Sequence, residues 1–205
     1  MSFRRGTGRL CLDFADTLRD RGTATPVDEL ADGAALAAWV GQFGPVAPTP
    51  GSSVPAAILA GARRLREAVH TLVMARAAGP GAEAGDLPAG AGGPGAEARG
   101  LVNDAAGRSV PVPRLDAGGA LRWQAADPVT ATLALVARDA LDLVTSPAAG
   151  RVRACADPRC GALFLDGSRT GTRRWCAADP CGNRARRRPA RTAASAGLSG
   201  ARPPG

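Results

Sequence analysis

Four of the five cysteines fall in the last third of the chain as two matched pairs, Cys155-x4-Cys160 and Cys176-x4-Cys181, each followed by a glycine, Gly161 or Gly182. Thiolates at this spacing supply the four soft ligands of a tetrahedral Zn²⁺, and metal binding folds segments too short to hold themselves. The stretch between Cys160 and Cys176 is long enough for a hairpin that carries the second pair back to the first. Ala162–Leu165 would form one strand, Asp166-Gly-Ser the turn, and Arg173–Trp175 the return. An Asp-Pro step lies inside each pair (Asp157-Pro158, Asp179-Pro180), and the closing glycine can take a positive φ that turns backbone amides toward sulfur. Four buried unligated cysteines, or a reversible redox switch, are the alternatives; paired spacing beside a weak apolar core favours metal. One zinc held by four thiolates is structural, because no open position remains for substrate.

Charge is distributed unevenly. All 26 basic residues are arginine, which together with abundant Ala, Gly and Pro points to coding bias and makes arginine count a weak argument. Position is a better one. Residues 1–150 hold 14 Arg against 15 acidic residues, whereas residues 151–205 hold 12 Arg against 3 Asp. Four thiolates and one Zn²⁺ leave about +7 on that end, enough to attract a polyanion. No signal peptide is readable after Met1, since Asp13 and Asp16 interrupt the apolar run, and no stretch approaches the ~20 residues of a membrane span. A cytoplasmic protein is expected, where thiols stay reduced and cysteines serve metals rather than disulfides.

Periodicity outlines a mainly helical α+β N-terminal domain over residues 1–150. Leu10, Phe14 and Leu18 lie at helical spacing in a buried opening element that also holds Cys11, a small buried hydrophobe. Thr25-Pro26 reads as a helix start, and Asp32 caps a helix burying Leu36, Trp39 and Val40. After a Pro-rich loop from Gly44 to Gly51, Ser53 and Pro55 start a helix to about Ala78. Ile58, Leu65, Val69, Leu72 and Val73 form its apolar face, with Arg63, Arg64, Arg66 and Glu67 opposite. Residues 79–95 read as a flexible Gly/Ala/Pro insertion, followed by a short helix from Glu97 to Ala106. Val110–Leu115 and Ala120–Gln124 flank a glycine turn as a β-hairpin, its first strand kept at an edge by Pro111 and Pro113. Asp127-Pro128 opens a helix through about Thr145 with Leu133, Val136, Ala137, Ala140, Leu141 and Val144 inward. Gly150 marks a domain boundary. The four-cysteine module spans 151–189, and 190–205 reads as a disordered tail.

The stretch from Arg151 through Cys155, Cys160 and Leu163-Phe-Leu-Asp-Gly-Ser-Arg169, with Arg173-Arg-Trp-Cys176 and Cys181-Gly-Asn-Arg-Ala-Arg186, resembles the bacterial CGNR zinc finger. Residues 10–18, Leu-Cys-Leu-Asp-Phe-Ala-Asp-Thr-Leu, resemble the opening of the ABATE domain that usually precedes that finger. The resemblance implies a stress-induced transcription regulator in two parts, with Cys155, Cys160, Cys176 and Cys181 as zinc ligands in a treble-clef-like module. Asp16 stands where the ABATE opening usually has Asn, Pro189 falls where the family's basic helix usually continues, and the Gly/Ala/Pro insertion is expanded.

A helix capped by Asp179 would align Arg184, Arg187 or Arg188, and Arg191 along one edge, with Pro189 shortening it. Arg173, Arg174, Asn183, Arg184, Arg186, Arg187 and Arg188 are the candidate nucleic-acid contacts, with Asn183 and Arg184 nominated for base edges. Asn183 could instead satisfy backbone in the zinc turn, and the arginine run could be a solvated tail. Trp175 either stacks a base or packs on Leu163 and Leu165. His70, the one histidine, reads as a packed or surface residue, and Asp13 as either a pocket carboxylate or a structural one. With no nucleophile, carboxylate-pair or phosphate-loop motif, no enzyme is expected. The expected function is DNA binding by a bacterial transcription regulator; the alternative is a zinc module that docks an acidic protein. DNA is the expected partner, with a homodimer or a polymerase-associated protein as further candidates, and no membrane. The N-terminal domain would sense a ligand, whose site the sequence leaves open, or mediate dimerisation.

Overall fold

The computed structural model describes residues 2–77 and 94–187. It is an α+β fold in which a helical body carries small antiparallel strand pairs. The opening helix α1 (Leu10–Ala15) buries Cys11, Leu12, Phe14 and Ala15. Its first turn is held from outside: the Asp139 carboxylate accepts from the Cys11 N–H at 2.8 Å and the Arg9 Nε at 2.8 Å. Asp13 is structural, accepting from the Thr7 N–H at 3.1 Å and the Thr7 hydroxyl at 2.7 Å. The helix stops at Asp16, so Leu18 lies beyond it in strand β1 (Leu18–Arg19).

Beyond α1 the chain departs from expectation. Thr25-Pro26 starts no helix; Val27–Asp28 is strand β2, antiparallel to β1 with Leu18 opposite Asp28. Tertiary contacts decide the matter. Arg66 approaches Asp28 with two nitrogens, at 2.6 and 3.1 Å. Arg63 donates to the carbonyls of Leu30 and Ala31, and Arg21 pairs with Glu67 at 2.7 Å. Thus the face of α3 (Ala56–Ala77) that periodicity assigns to solvent is largely covered by residues 18–31, and Arg66 is buried. Burial opposes ionisation of Asp28, yet hydrogen bonds from Arg66 outweigh it and hold the carboxyl below its usual range.

Helix α2 (Gly33–Phe43) begins where expected, with Asp32 accepting from the Ala35 N–H at 2.8 Å. Trp39 meets the Phe14 ring edge-on at 4.9 Å and stacks on Phe43 at 4.7 Å. Helix α4 (Pro94–Ala106) starts earlier than Glu97, so residues 94 and 95 belong to a helix; the rest of the expected 79–95 insertion lies outside the described residues. Helix α5 (Pro128–Thr145) is capped by Asp127, which accepts from the Val129 and Thr130 N–H groups. It packs with α3 and α4, and its buried residues include Leu133, Val136, Ala137, Ala140, Leu143 and Val144; Leu141 is partly buried. Between α4 and α5 the expected hairpin forms from β3 (Val112–Leu115) and β4 (Leu121–Gln124), both solvent-exposed.

A 3-10 turn at Pro147–Arg151 leads into β5 (Val152–Ala154), antiparallel to β6 (Leu163–Leu165). The partner of β6 is therefore β5 rather than Arg173–Trp175. The first cysteine pair is itself the hairpin turn, with the Cys155 N–H bonded to the Ala162 carbonyl at 2.8 Å. Val152 and Leu163 join the main core, and Leu165 packs against it. Trp175 accordingly packs elsewhere, against a second cluster of the four cysteines, Ala162 and Phe164. No described helix is long and apolar enough to cross a membrane.

Candidate metal centre

The first pair sits at the end of β5. Asp157 shapes its turn, accepting from the Arg159 N–H at 3.1 Å, while the Cys160 N–H bonds the Asp157 carbonyl at 2.9 Å. Gly161, at φ +65°, then redirects the chain into β6, a conformation that side chains oppose. Against this turn lies the β1–β2 connection. The Arg21 and Gly22 N–H groups bond the Cys160 and Arg159 carbonyls, each at 3.2 Å. A Cβ on Gly22 would fall 1.8 Å from the Pro158 oxygen, so only glycine permits this approach. His70 of α3 lies beside the Gly161 backbone with its Nε2 unpartnered; burial lowers its pKa.

The second pair is brought back by Asp166 rather than by a strand. Its carboxylate accepts from the Ser168 N–H and hydroxyl at 2.9 and 2.6 Å and from the Arg173 N–H at 3.0 Å. These bonds, Ser168's foremost, hold Asp166 below the usual carboxylate range. The Ala156 N–H then bonds the Arg174 carbonyl at 2.8 Å, joining the two halves. Cys181 lies in a kinked turn over Ala178–Gly182, whose Asp179–Pro180 peptide is cis, and α6 (Asn183–Arg187) follows directly. Unlike Gly161, Gly182 has no positive φ; it continues into the helix.

All four cysteines are buried, and their sulfurs lie within 4.8 Å of one another. Cys160 and Cys176 are 3.6 Å apart, and Cys176 and Cys181 3.7 Å. These separations are far from a disulfide's ~2 Å and match the ~3.8 Å edge of a tetrahedron built on Zn–S bonds of ~2.3 Å. The donor set fits one zinc ion. Crowding the thiols has a cost that a cation removes. Burial pushes Cys181 up to about 11, while Cys176 is driven upward by donating to Cys160 and by burial. Two guanidinium groups face the sulfurs: Arg4 Nη1 at 3.8 Å from Cys176 and Arg184 Nη2 at 3.6 Å from Cys181. They oppose the net charge of −2 that four thiolates and Zn²⁺ create.

The candidate nucleic-acid residues divide by this geometry. Arg173 is engaged within the fold: its Nε donates to the Trp175 carbonyl at 2.9 Å, Nη2 to the Cys176 carbonyl, and the guanidinium covers the Phe164 ring at 4.6 Å. Arg184 forms an ion pair with Asp157 at 2.8 Å, a contact not aligned as a hydrogen bond. The Asn183 amide donates to Asp179 at 3.3 Å, so Asp179 holds Asn183 rather than capping a helix from Pro180. Both residues nominated for base edges therefore brace the zinc turns. Arg174, over the Trp175 ring at 5.4 Å, and Arg186 and Arg187 are exposed. Arg188, Arg191 and the rest of the expected tail lie outside the described residues. Sequence reasoning missed Arg4, which carries no local signal, and the contacts of Asp157, whose repetition as Asp-Pro in both pairs was the available clue.

Residues 8–147 match the model of the ABATE family, described as "putative stress-induced transcription regulator". Residues 151–193 match that of the CGNR zinc finger, whose four-letter signature is Cys181-Gly182-Asn183-Arg184. No curated protein matches the chain. With the family match covering more than half its length and the four-sulfur site beside it, the chain belongs to the ABATE family and carries a C-terminal CGNR zinc finger.

Proposed function

We propose that this protein is a cytoplasmic, non-enzymatic transcription regulator that binds duplex DNA through the zinc module, its N-terminal domain serving as the regulatory part. The supporting observation is the placement of charge. The chain's positive excess lies after residue 150, and Arg174, Arg186 and Arg187 remain solvent-facing after Arg173 and Arg184 are taken up internally. Arginines held beside a rigid centre make phosphate contacts at little entropic cost. With Asn183 and Arg184 bracing the turns, affinity is expected to come from phosphate rather than base edges.

A salt titration tests the proposal. Binding to a short duplex through about 4–6 phosphates gives a log–log slope of about −4 to −5. The triple change Arg174→Ala, Arg186→Ala, Arg187→Ala lowers that slope by about 2–3 while zinc content stays at one per chain. Absence of duplex binding at low salt would point instead to an acidic protein partner.

A further inference from the structure

The β3–β4 hairpin has one mixed face, bearing Val112, Arg114, Arg122 and Gln124, and one apolar face. Pairing places Pro113 opposite Trp123 and Leu115 opposite Leu121, whereas Val112 faces Gln124 and Arg114 faces Arg122. Paired residues share a face of the sheet and alternate along it. Pro113, Leu115, Leu121 and Trp123 thus form an unbroken apolar side, with Leu115 74%, Leu121 59% and Trp123 44% exposed. The turn is well made: the Asp116 carboxylate accepts from the Gly118 and Ala120 N–H groups, and Gly119 adopts φ +80°. No described helix or strand gives the hairpin more than marginal support. An isolated two-stranded hairpin is barely stable in water, and a contiguous exposed apolar patch marks an interaction site.

We propose that this face packs against the same face of a second copy, forming a two-fold dimer in which two hairpins make a small β-sandwich. Three features favour a twin over another partner. First, the patch is self-complementary: Leu115, Leu121 and Trp123 carry no charge that needs a counterpart, and a two-fold axis sets like against like. Second, residues 1–150 are nearly neutral, with 14 Arg against 15 acids, so the part bearing the hairpin does not repel its copy. Third, the area suits a weak association. Burying the exposed parts of these four side chains completely in both copies removes at most about 900 Å², the size of a transient contact. Edge-to-edge pairing would not do this: it leaves the apolar side in water, and Pro113 removes a donor from the β3 edge. The opposite face sets Arg114 beside Arg122, whose Nε pairs with Asp116 at 3.0 Å, so it keeps an excess of positive charge that a second such face would oppose.

An interface of this size fits a weak, reversible dimer. Sedimentation velocity of the zinc-loaded protein without DNA, from about 1 to about 200 μM, is expected to show a reversible monomer–dimer transition. Leu115→Glu, at a surface position, is expected to weaken it by at least about 100-fold with circular dichroism and melting temperature unchanged. Arg114→Glu, on the other face, is expected to leave it within about threefold. A wild-type protein that stays monomeric throughout, or a transition that both variants shift equally, overturns the proposal. Neither result depends on nucleic-acid binding.

Discussion

Asp16 offers a test in which structure, charge and pH meet. It ends α1, its N–H bonded to the Leu12 carbonyl at 2.9 Å, with its side chain 4% exposed. Its Oδ2 has no hydrogen-bond partner, and the nearest cations, Arg4 and Arg19, stand off at 3.8 Å each. Burial therefore dominates and raises the carboxyl to about 7; Arg4 opposes the rise, and Cys160 and Glu29 add to it. Raising a carboxyl from 3.8 to about 7 costs about 4 kcal/mol of stability once the group is ionised in both states. The sign follows from which state holds the proton. Below about pH 4 folded and unfolded chains are both protonated and nothing is lost. Between about 4 and 7 only the unfolded chain ionises, so stability falls as pH rises, and above 7 the full cost persists.

Asp16→Asn removes that charge and restores the residue usual in the ABATE opening. Arg4 and Arg19 lose a weak partner, so the net gain at about pH 8 is about 2 kcal/mol rather than the full amount. Urea melts of both proteins, saturated with zinc and compared pH by pH, cancel the thiol titrations common to them. The advantage of Asn is expected to grow by about 1–3 kcal/mol between about pH 5 and about pH 8. A difference that does not change with pH, or a destabilised variant at pH 8, would refute the assignment of a buried, poorly compensated carboxylate.

Two further changes probe the metal centre. Cys176→Ser is expected to reduce bound zinc from one per chain to near none in a chelator competition. The circular dichroism of the helical body should largely survive, because Val152 and Leu163 belong to the main core; zinc retained at one per chain excludes Cys176 as a ligand. Gly22→Ala, remote in sequence from every ligand, would set a methyl against the Pro158 oxygen. It is expected to destabilise the fold by about 2 kcal/mol and to weaken zinc retention about tenfold, and unchanged retention would mean that the β1–β2 connection does not support the first cysteine pair.

What was legible in the sequence was local. Asp32 and Asp127 cap helices because a carboxylate beside the first turn satisfies free N–H groups wherever the chain then lies. The cysteine spacing was equally direct, since a short loop between two ligands limits where their sulfurs can go. The failures were tertiary. Thr25-Pro26 has the chemistry of a helix start, but Asp28 is required by Arg66, and strand geometry delivers it. Arg66 falls on the polar side of α3 by periodicity, yet that side is covered by residues 18–31. The strand pairing of Leu163–Leu165 is hidden in the sequence because the first cysteine pair reads as a ligand loop alone. It is also a hairpin turn, and the strand before it was the nearer partner.

Helix α6 has five residues, too few to persist by backbone hydrogen bonding alone. Its position must come from its ends. At its start, Cys181 enters the sulfur cluster, Asn183 bonds Asp179, and Arg184 reaches Asp157 in the first turn. That turn is in its own right braced by Arg21 and Gly22 of the N-terminal body, while Arg4 approaches Cys176 from the other end of the chain. The charged end is thus oriented through the metal by residues far from it in sequence. Because a ligand that binds only the folded form stabilises it by mass action, zinc occupancy and the packing of residues 4–22 against the first cysteine pair must reinforce each other. Loosening either weakens the hold on Arg186 and Arg187, even though neither arginine touches a ligand.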